Sequence, residues 1–349
     1  MNLRLPPKRR LWPWLLWLGV FYSVWTGIVL AGGHGRLLVE HWPIALAMAL
    51  GSYVAGSTPM GGGTVGFPVL VLGFGMPAGL GRDFSFAIQS IGMVSASIFI
   101  LARRQPLAWA ILGGALFGVA VGTPLGLLFV APKVPDLWVK VLFSVLWAGF
   151  GLLHLLRLDE IAAHQGMVEF DERWDRAVGA AVGLVAGATA VAVTGVGVDM
   201  LLYTVLVLLC RADLKIAIPT SVVVMAFASV VGVLVRTAQG GLLPEVFGHW
   251  LAAAPVVALG APLGVFVVER VGRKPTLLFV ALLCVWQFLW LLWDEWRALG
   301  WTGAAAAVAA VAVLFAAFEK LNRWGALFAG ERREAAHHRR LPPLHEEEG

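Results

Sequence analysis

The sequence predicts an all-α polytopic membrane protein made of two inverted repeats. Composition is the first reason: 59% of the 349 residues are hydrophobic and 13% are charged, whereas a soluble domain carries about 25% charged residues. The second reason is that the charges are clustered and leave long uncharged runs, and about 20 apolar residues suffice to cross a hydrocarbon core as a helix. The third is that the two halves of the chain repeat one pattern.

The uncharged runs mark the spanning helices in chain order. The run 11–31 follows the basic stretch PPKRR; it is too long for the apolar region of a signal peptide, so we predict a retained anchor helix. Two Gly-rich segments, 42–81 and 177–210, are predicted to be broken, and the other runs to be about eight full spans. These full spans are 11–31, 84–102, 105–132, 141–156, 216–235, 246–268, 275–293 and 298–318.

The repeat is visible in the Gly-rich segments. GSYVAGSTPMGGGTVGFPVLVLGF aligns at a constant offset with GLVAGATAVAVTGVGVDMLLYTVL, which pairs Gly66 with Gly197 and, further on, Ser90 with Ser221. The chain is therefore predicted to have six parts. These are the N-terminus with the anchor helix (1–41), the first repeat (42–157), a linker (158–173), the second repeat (174–293), a last helix (294–318) and a tail (319–349).

The loop charges predict the relative orientation of the two repeats. If each broken segment enters and leaves on one side, most Lys and Arg residues fall on a single side, as the positive-inside rule requires of the cytoplasm. The first repeat then begins outside and the second inside. Such inverted repeats are typical of secondary transporters. The predicted cytoplasmic pieces are 1–10, 103–104, 157–176, 211–215, 269–274 and the tail from 319.

One motif in the first broken segment suggests a different function. Gly61, Gly63 and Gly66 form a literal GxGxxG, and Asp83 follows them as a ribose-binding acid would. A dinucleotide site requires a strand before the glycines and a soluble βαβ unit around them. Because these glycines lie in a long uncharged stretch, the sequence argues against a nucleotide site.

The breaks themselves predict an anion site. Irregular backbone at membrane depth is tolerated only where protein or a water-filled cavity surrounds it. Pro68 and Asp199 occupy equivalent positions and are predicted to mark the starts of two half-helices, since proline favours the first turn and aspartate the cap. Two helix starts facing each other would present unpaired N–H groups and a partial positive charge to an anion, without any buried Lys or Arg.

Neutral donors near the breaks would complete this site. The alternative is that the small residues only let the helices approach closely. The predicted substrate-binding residues are Thr58, Gly61, Gly62, Gly63, Thr64, Gln89, Ser90, Thr194, Gly195, Gly197, Thr220 and Ser221, with Ser57 beside them.

The repeated Gly-rich segments, each followed by a loop and a Ser-containing helix, resemble the TauE/SafE family of sulfite exporters and related anion permeases. The resemblance covers about residues 42–293, and GGGTVGFP fits it well. It implies transport of sulfite, an organosulfonate or another small anion across a bacterial cytoplasmic membrane. TGVGVDML departs from the pattern, because Asp199 stands where a proline is more usual.

The sequence allows two roles for Asp199. An ionised carboxylate beside an anion site would repel the substrate, and a charged residue at membrane depth is a functional hypothesis by default. Asp199 is therefore either a buried helix cap away from the substrate or a coupling residue that takes up a proton when the anion binds.

The remaining polar residues are given minor roles. Arg82 with Asp83, and Arg211 with Asp213, are placed in equivalent loops, as solvated pairs or as groups that steer anions. His154 and His249 are expected at the membrane interface. Cys210 and Cys284 are too few for a disulfide framework or a metal cluster and are expected to be buried.

Other functional classes fit the sequence less well. No HExxH or GxSxG motif is present, so we predict that the protein is not an enzyme. The alternatives to an anion permease are a permease for another solute coupled to protonation of Asp199, and a non-transporting assembly factor. The predicted partners are the lipid bilayer and a small anion, with no nucleic acid, cofactor or metal; whether the protein forms a homo-oligomer is left open.

Overall fold

The computed structural model describes residues 11–168 and 170–338, and within them every regular element is a helix. Nine helices are long and apolar enough to cross a membrane in this described part of the chain. The all-α polytopic prediction is therefore confirmed. In chain order the elements are α1 (Trp12–Ala31), α2 (Gly35–Glu40), α3 (Trp42–Ser57), α4 (Gly63–Pro68), α5 (Ala78–Ala102), α6 (Trp109–Leu125), α7 (Asp136–Ala162), α8 (Glu172–Ala186), α9 (Ala192–Thr194), α10 (Val198–Leu208), α11 (Leu214–Ala238), α12 (Pro244–Val271), α13 (Arg273–Asp294) and α14 (Trp296–His338).

Three helices continue beyond these bounds as tighter or wider turns. A π-helical turn, Val69–Gly73, extends α4, and the turn Gly187–Val191 joins α8 to α9. The segment Gly126–Lys133 likewise prolongs α6, so that the span Trp109–Lys133 has 25 residues. Such wide turns occur where prolines or packing interrupt regular hydrogen bonding.

Of the nine candidate spans in the described residues, eight correspond to the predicted full spans. The ninth, Glu172–Thr194, is the first arm of the second broken segment and has 23 residues. Its charged first turn, with Arg173 and Arg176, precedes the apolar run that begins at residue 177. The short run 141–156 also lengthens into the 27 residues of α7, whose terminal charges are neutralised, Lys140 by Glu295 and Arg157 by Glu319.

Equivalent helices of the two repeats run in opposite directions. Phe86, early in α5, lies against Gly232, late in α11, and Ala108, which follows α5, donates its N–H to Thr220 near the start of α11. In the same way α7 and α13 are joined by Lys140–Glu295 at one end and by Asp159–Lys274 at the other. The repeats are therefore inverted, as the loop charges predict.

The first arm of each break packs on a helix of the other repeat. In one such pair, α6 and α8 run side by side in the same direction; in the other, α3 and α12 do. Glycines line both seams. A Cβ at Gly114 would collide with the backbone carbonyl of Arg176, and one at Gly56 with that of Ala261. Small residues bring the backbones together here, as is usual between membrane helices.

A substitution in the α6–α8 seam should therefore be destabilising. Gly114→Ala is expected to lower the unfolding free energy by about 1–3 kcal/mol, the usual cost of overpacking. Gly113→Ala is the matched control, because nothing lies within 4 Å of a Cβ at Gly113 and alanine favours a helix by about 1 kcal/mol. Thermal unfolding of both variants in detergent measures the difference. An equal melting temperature for the two variants would contradict the close approach.

The repeat register read from the sequence is wrong by more than one helical turn. Counting from the helix starts at Ala78 and Leu214 places Ser85, not Ser90, opposite Ser221. The half-helices likewise start at Gly63 and Val198. Gly- and Ala-rich apolar stretches match themselves at several offsets, so side-chain identity alone does not fix the register.

Candidate functional site

The two breaks in the helices meet inside the protein. The first break, 58–62, separates α3 from α4, and the second, 195–197, separates α9 from α10. They touch where Gly63 lies against Val196, so closely that a Cβ on Gly63 would contact the Val196 side chain. Gly195 has φ +80° and Gly197 has φ +113°, backbone conformations that other residues rarely adopt. The sharp turn between α9 and α10 therefore depends on these two glycines.

Helix α5 supports this meeting point with residues in its first half. Gln89, in the middle of α5, donates from Nε2 to the carbonyl of Gly195 at 3.0 Å and to that of Ser85 at 2.9 Å. Ser85, one turn earlier, lies against both Gly63 and Gly195. The site therefore lies inside the bundle, beside the first half of a 25-residue span, as expected for a transporter site formed by broken helices.

Asp199 lies at this meeting point and is fully buried. Its Oδ1 accepts a hydrogen bond from the N–H of Met200 at 3.0 Å. Its Oδ2 has no hydrogen-bond partner and would lie 3.3 Å from a Cβ at Gly61. Among the described residues, no Lys or Arg forms an ion pair with Asp199.

Both predicted half-helix starts need correction. Gly197 is the N-cap of α10, and Asp199 is the second residue of that helix rather than its cap. Pro68 is the last residue of α4, whose first residue is Gly63. The helix can begin earlier than expected because glycines 61–63 turn the chain without a capping side chain.

The predicted hydroxyl donors are mostly engaged within their own helices. Thr58 donates to Val54 O and Thr194 to Ala190 O, each at 2.8 Å. Thr220 and Ser221 donate to carbonyls one turn earlier in α11, away from the breaks. Ser90 lies beside a different apolar depression with Phe247 and Trp250. Of the predicted side chains, the structure brings Gln89 and Asp199 together with Thr194 at the second break.

The side chain of Thr64 lines a cavity beside α13. Its Oγ1 is buried without a partner, and the residue lines a cavity of about 180 Å³ between α4 and α13. Gly62 is the N-cap of α4 and lies against Met48 and Ala55 of α3, so it serves helix packing. Ser57 donates to Tyr53 O at 2.6 Å.

One aromatic side chain of the site, that of Trp147, was not predicted from the sequence. Trp147 of α7 is fully buried, and its ring would lie 3.8 Å from a Cβ at Gly197. Its Nε1 has no partner in the structure. Trp147 stacks on Phe143, which stacks on Phe67. Nothing in a single sequence distinguishes this buried tryptophan from the others of the chain, since tryptophan is also frequent at membrane interfaces.

His154 and Tyr203 form a buried pair, against the prediction that His154 is interfacial. Nδ1 of His154 lies 2.9 Å from Phe150 O, and Nε2 lies 2.9 Å from the Tyr203 hydroxyl. A carbonyl can only accept, so Nδ1 carries the proton and Nε2 accepts from Tyr203. This bond fastens α10 to α7. His249 is also buried, with its ring centroid 4.3 Å from that of His41.

Arg82 and Asp83 lie in a helix rather than in a loop, with Asp83 buried and Arg82 partly exposed. Asp83 is fully buried near the start of α5; it accepts from Arg82 Nε at 3.0 Å and from Arg236 Nη2 at 2.9 Å. Arg236 lies at the far end of α11, so this ion pair joins the two repeats. We call this end of the bundle the Asp83 end, and the opposite end, where the repeats are connected, the linker end.

At the linker end, Arg211 and Asp213 have structural roles. Arg211 donates to Glu160 Oε1 at 2.7 Å and to Asn322 O at 2.8 Å. Asp213 caps α11 through the N–H of Lys215 at 2.8 Å. Burial and the neighbouring Arg211 lower the pKa of His164 at this end below its usual value, so His164 is neutral at neutral pH.

An open cavity of about 920 Å³ also lies at the linker end. Its wall carries Lys215, Arg273 and Lys274 with one acidic residue, Asp213. Basic groups around an opening raise the local concentration of anions. The Asp83 end, by contrast, is crossed by the Asp83–Arg236 pair.

Within the described residues, no three His, Cys, Asp or Glu side chains are grouped as metal ligands. A family model described as "Sulfite exporter TauE/SafE" matches residues 44–291. No curated protein and no solved structure matches the chain.

Proposed function

Because the chain belongs to the TauE/SafE family, a family of membrane transporters, we propose that it is a secondary transporter of a small sulfur-containing oxyanion, such as sulfite or an organosulfonate. The observation that carries the proposal is the meeting of two broken helices inside the bundle. A reentrant geometry of this kind is typical of transporter substrate sites. The anion would be held at the N-terminal ends of the half-helices Gly63–Gly73 and Val198–Leu208.

Alternating access follows from the inverted repeats. The cavity at the linker end and the ion pair at the Asp83 end are the features of a transporter open on one side. Exchange of these roles between the repeats would open the other side. We further propose that the linker end is cytoplasmic in a bacterial inner membrane, since most loop Lys and Arg residues lie there. Both termini would then be cytoplasmic.

Uptake into proteoliposomes tests the proposal. Labelled sulfite, sulfate, thiosulfate and a short organosulfonate are supplied separately to vesicles with and without the purified protein. We expect saturable uptake of at least one of these anions, inhibited by an excess of the same unlabelled anion. Uptake of none of the four by folded protein would overturn the assignment to sulfur oxyanions.

The aromatic group beside the second break gives a further prediction. Trp147→Phe removes the indole N–H but keeps a ring against Gly197, whereas Trp147→Ala also removes the stacking with Phe143. We expect an increase in the Michaelis constant of about threefold to tenfold for Trp147→Phe, if the unpaired N–H meets the anion with an ordinary hydrogen bond of about 1 kcal/mol. Trp138→Phe, at an exposed position on the same helix, is the matched control. An unchanged constant for Trp147→Phe would exclude the indole from the anion site.

A further inference from the structure

The structure places two unpaired acceptors close to Gly61 in the buried site. Oδ2 of Asp199 and Oε1 of Gln89 both lack a hydrogen-bond partner. Both lie against the same point, the position of a Cβ at Gly61, which would collide with Oε1 and stand 3.3 Å from Oδ2. Both side chains are almost completely removed from solvent. Neither oxygen meets a donor within hydrogen-bond geometry, although the backbone N–H groups of Gly61 and Gly197 lie near the Asp199 carboxyl group. Buried acceptors without a hydrogen bond are costly, and each such group calls for an explanation.

The orientation of the Gln89 amide is fixed by its other contacts. Nε2 donates to two backbone carbonyls, those of Ser85 and Gly195. A flipped amide would turn Oε1 toward these carbonyls, which can only accept. The free atom beside Asp199 is therefore the amide oxygen, and an ionised Asp199 would face it with a second acceptor.

The other titratable and charged groups around Asp199 are already engaged. From α5, Asp83 is bound by Arg82 and Arg236. From α7 and α10, His154 and Tyr203 are bonded to each other. From α13, Cys284 contacts Met60, next to Gly61. The segments 58–73, 187–194 and 217–229, which complete the surroundings, contain no titratable residue.

We propose that one proton binds between Asp199 and Gln89 and that it is the ion coupled to anion transport. In the protonated site the Asp199 hydroxyl donates to Gln89 Oε1, which turns two unpaired acceptors into one hydrogen bond. In the ionised site the carboxylate lies at the first turn of α10, where it accepts a hydrogen bond from the N–H of Met200. Its negative charge there repels a substrate anion. Neutralising it removes the repulsion, so one proton enters with each anion.

This inference rests on the proposed function but has a test of its own. Infrared difference spectra between acidic and alkaline buffer detect the carbonyl stretch of a protonated carboxyl group. We expect such a band in the native protein, its loss in Asp199→Asn and a frequency shift in Gln89→Leu, which removes the acceptor. Asp159→Asn is the control, because that side chain is 96% exposed. A band unchanged in Asp199→Asn would overturn the proton site, whatever the protein transports.

Transport measurements then test the coupling. The probe is methanesulfonate, whose charge does not change with pH, so that any proton that moves belongs to the protein; a pH-sensitive dye is trapped inside the vesicles. For the native protein we expect an inward proton gradient to accelerate uptake, with acidification of the lumen by about one proton per anion. For Asp199→Asn we expect anion exchange to persist without acceleration or acidification.

Two outcomes would overturn the coupling. One is gradient-driven uptake with acidification by Asp199→Asn. The other is uptake by the native protein that responds to a sodium gradient and not to a proton gradient. If the native protein moves no sulfonate at all, the failure lies in the substrate assignment, and the infrared result alone decides the proton site.

Discussion

Replacement of Gly195 by alanine is expected to reduce anion transport by at least about tenfold. Gly195 has φ +80°, and holding a residue with a Cβ in such a conformation costs on the order of 1–3 kcal/mol. The new Cβ would also stand 2.5 Å from Arg82 O and 2.8 Å from Ser85 Cβ. Because Gln89 is bonded to the carbonyl of Gly195, the strain would move Gln89 away from Asp199. Free-energy changes of 1.4 kcal/mol correspond to a factor of about ten.

The matched control separates backbone strain from collision. Gly75 has φ +66°, and nothing lies within 4 Å of a Cβ there. Gly75→Ala therefore carries a similar backbone cost in the turn before α5, but leaves the breaks untouched. We expect it to transport at nearly the native rate. Initial uptake rates are compared at equal amounts of folded protein, and native-like transport by Gly195→Ala would mean that the turn at 195–197 is not required.

The sequence was sufficient to predict the class of fold and the location of the breaks. Charge clustering marked the spans, and loop charge marked the inversion that α5 and α11 display. Gly195 and Gly197 were identified because the second Gly-rich segment aligns with the first, and irregular backbone at membrane depth is tolerated only where protein or a cavity surrounds it. Charge clustering, loop charge and glycine content are properties of short segments or sums over loops, so they can be read from a single sequence.

The partners across the bundle could not be predicted. Gln89 and Asp199 were both selected, but that both lie near Gly61 depends on the register of the repeats, which the Gly-rich stretches leave ambiguous. Trp147 and His154 are buried because α7 packs against α10, and this contact belongs to the tertiary structure. Asp83 looked like a loop residue because its partner Arg236 is 153 positions away. Long-range pairing of this kind leaves no periodic signal in the chain.

The Asp83–Arg236 pair gives the second large prediction. The Asp83 side chain is fully buried, whereas 19% of the surface of the Arg236 side chain is exposed to solvent. Arg236→Gln would leave the buried carboxylate with Arg82 and the N–H of Leu243 only. Breaking one side of a buried pair typically costs about 3–5 kcal/mol, so we expect a marked fall in melting temperature. Asp83→Asn should cost less, because the two arginines keep contact with solvent.

The double variant Asp83→Asn with Arg236→Gln tests whether the effect comes from an unpaired charge. An amide pair carries no net charge, so the double variant should be more stable than Arg236→Gln alone. The coupling energy follows from thermal or denaturant unfolding of the four proteins, with Arg36→Gln, in an exposed pair with Glu40, as the control. Additive losses would mean that Asp83 and Arg236 do not stabilise each other. A positive coupling would show that the pair helps to hold the repeats together at the Asp83 end, which would have to separate in the alternating access proposed above.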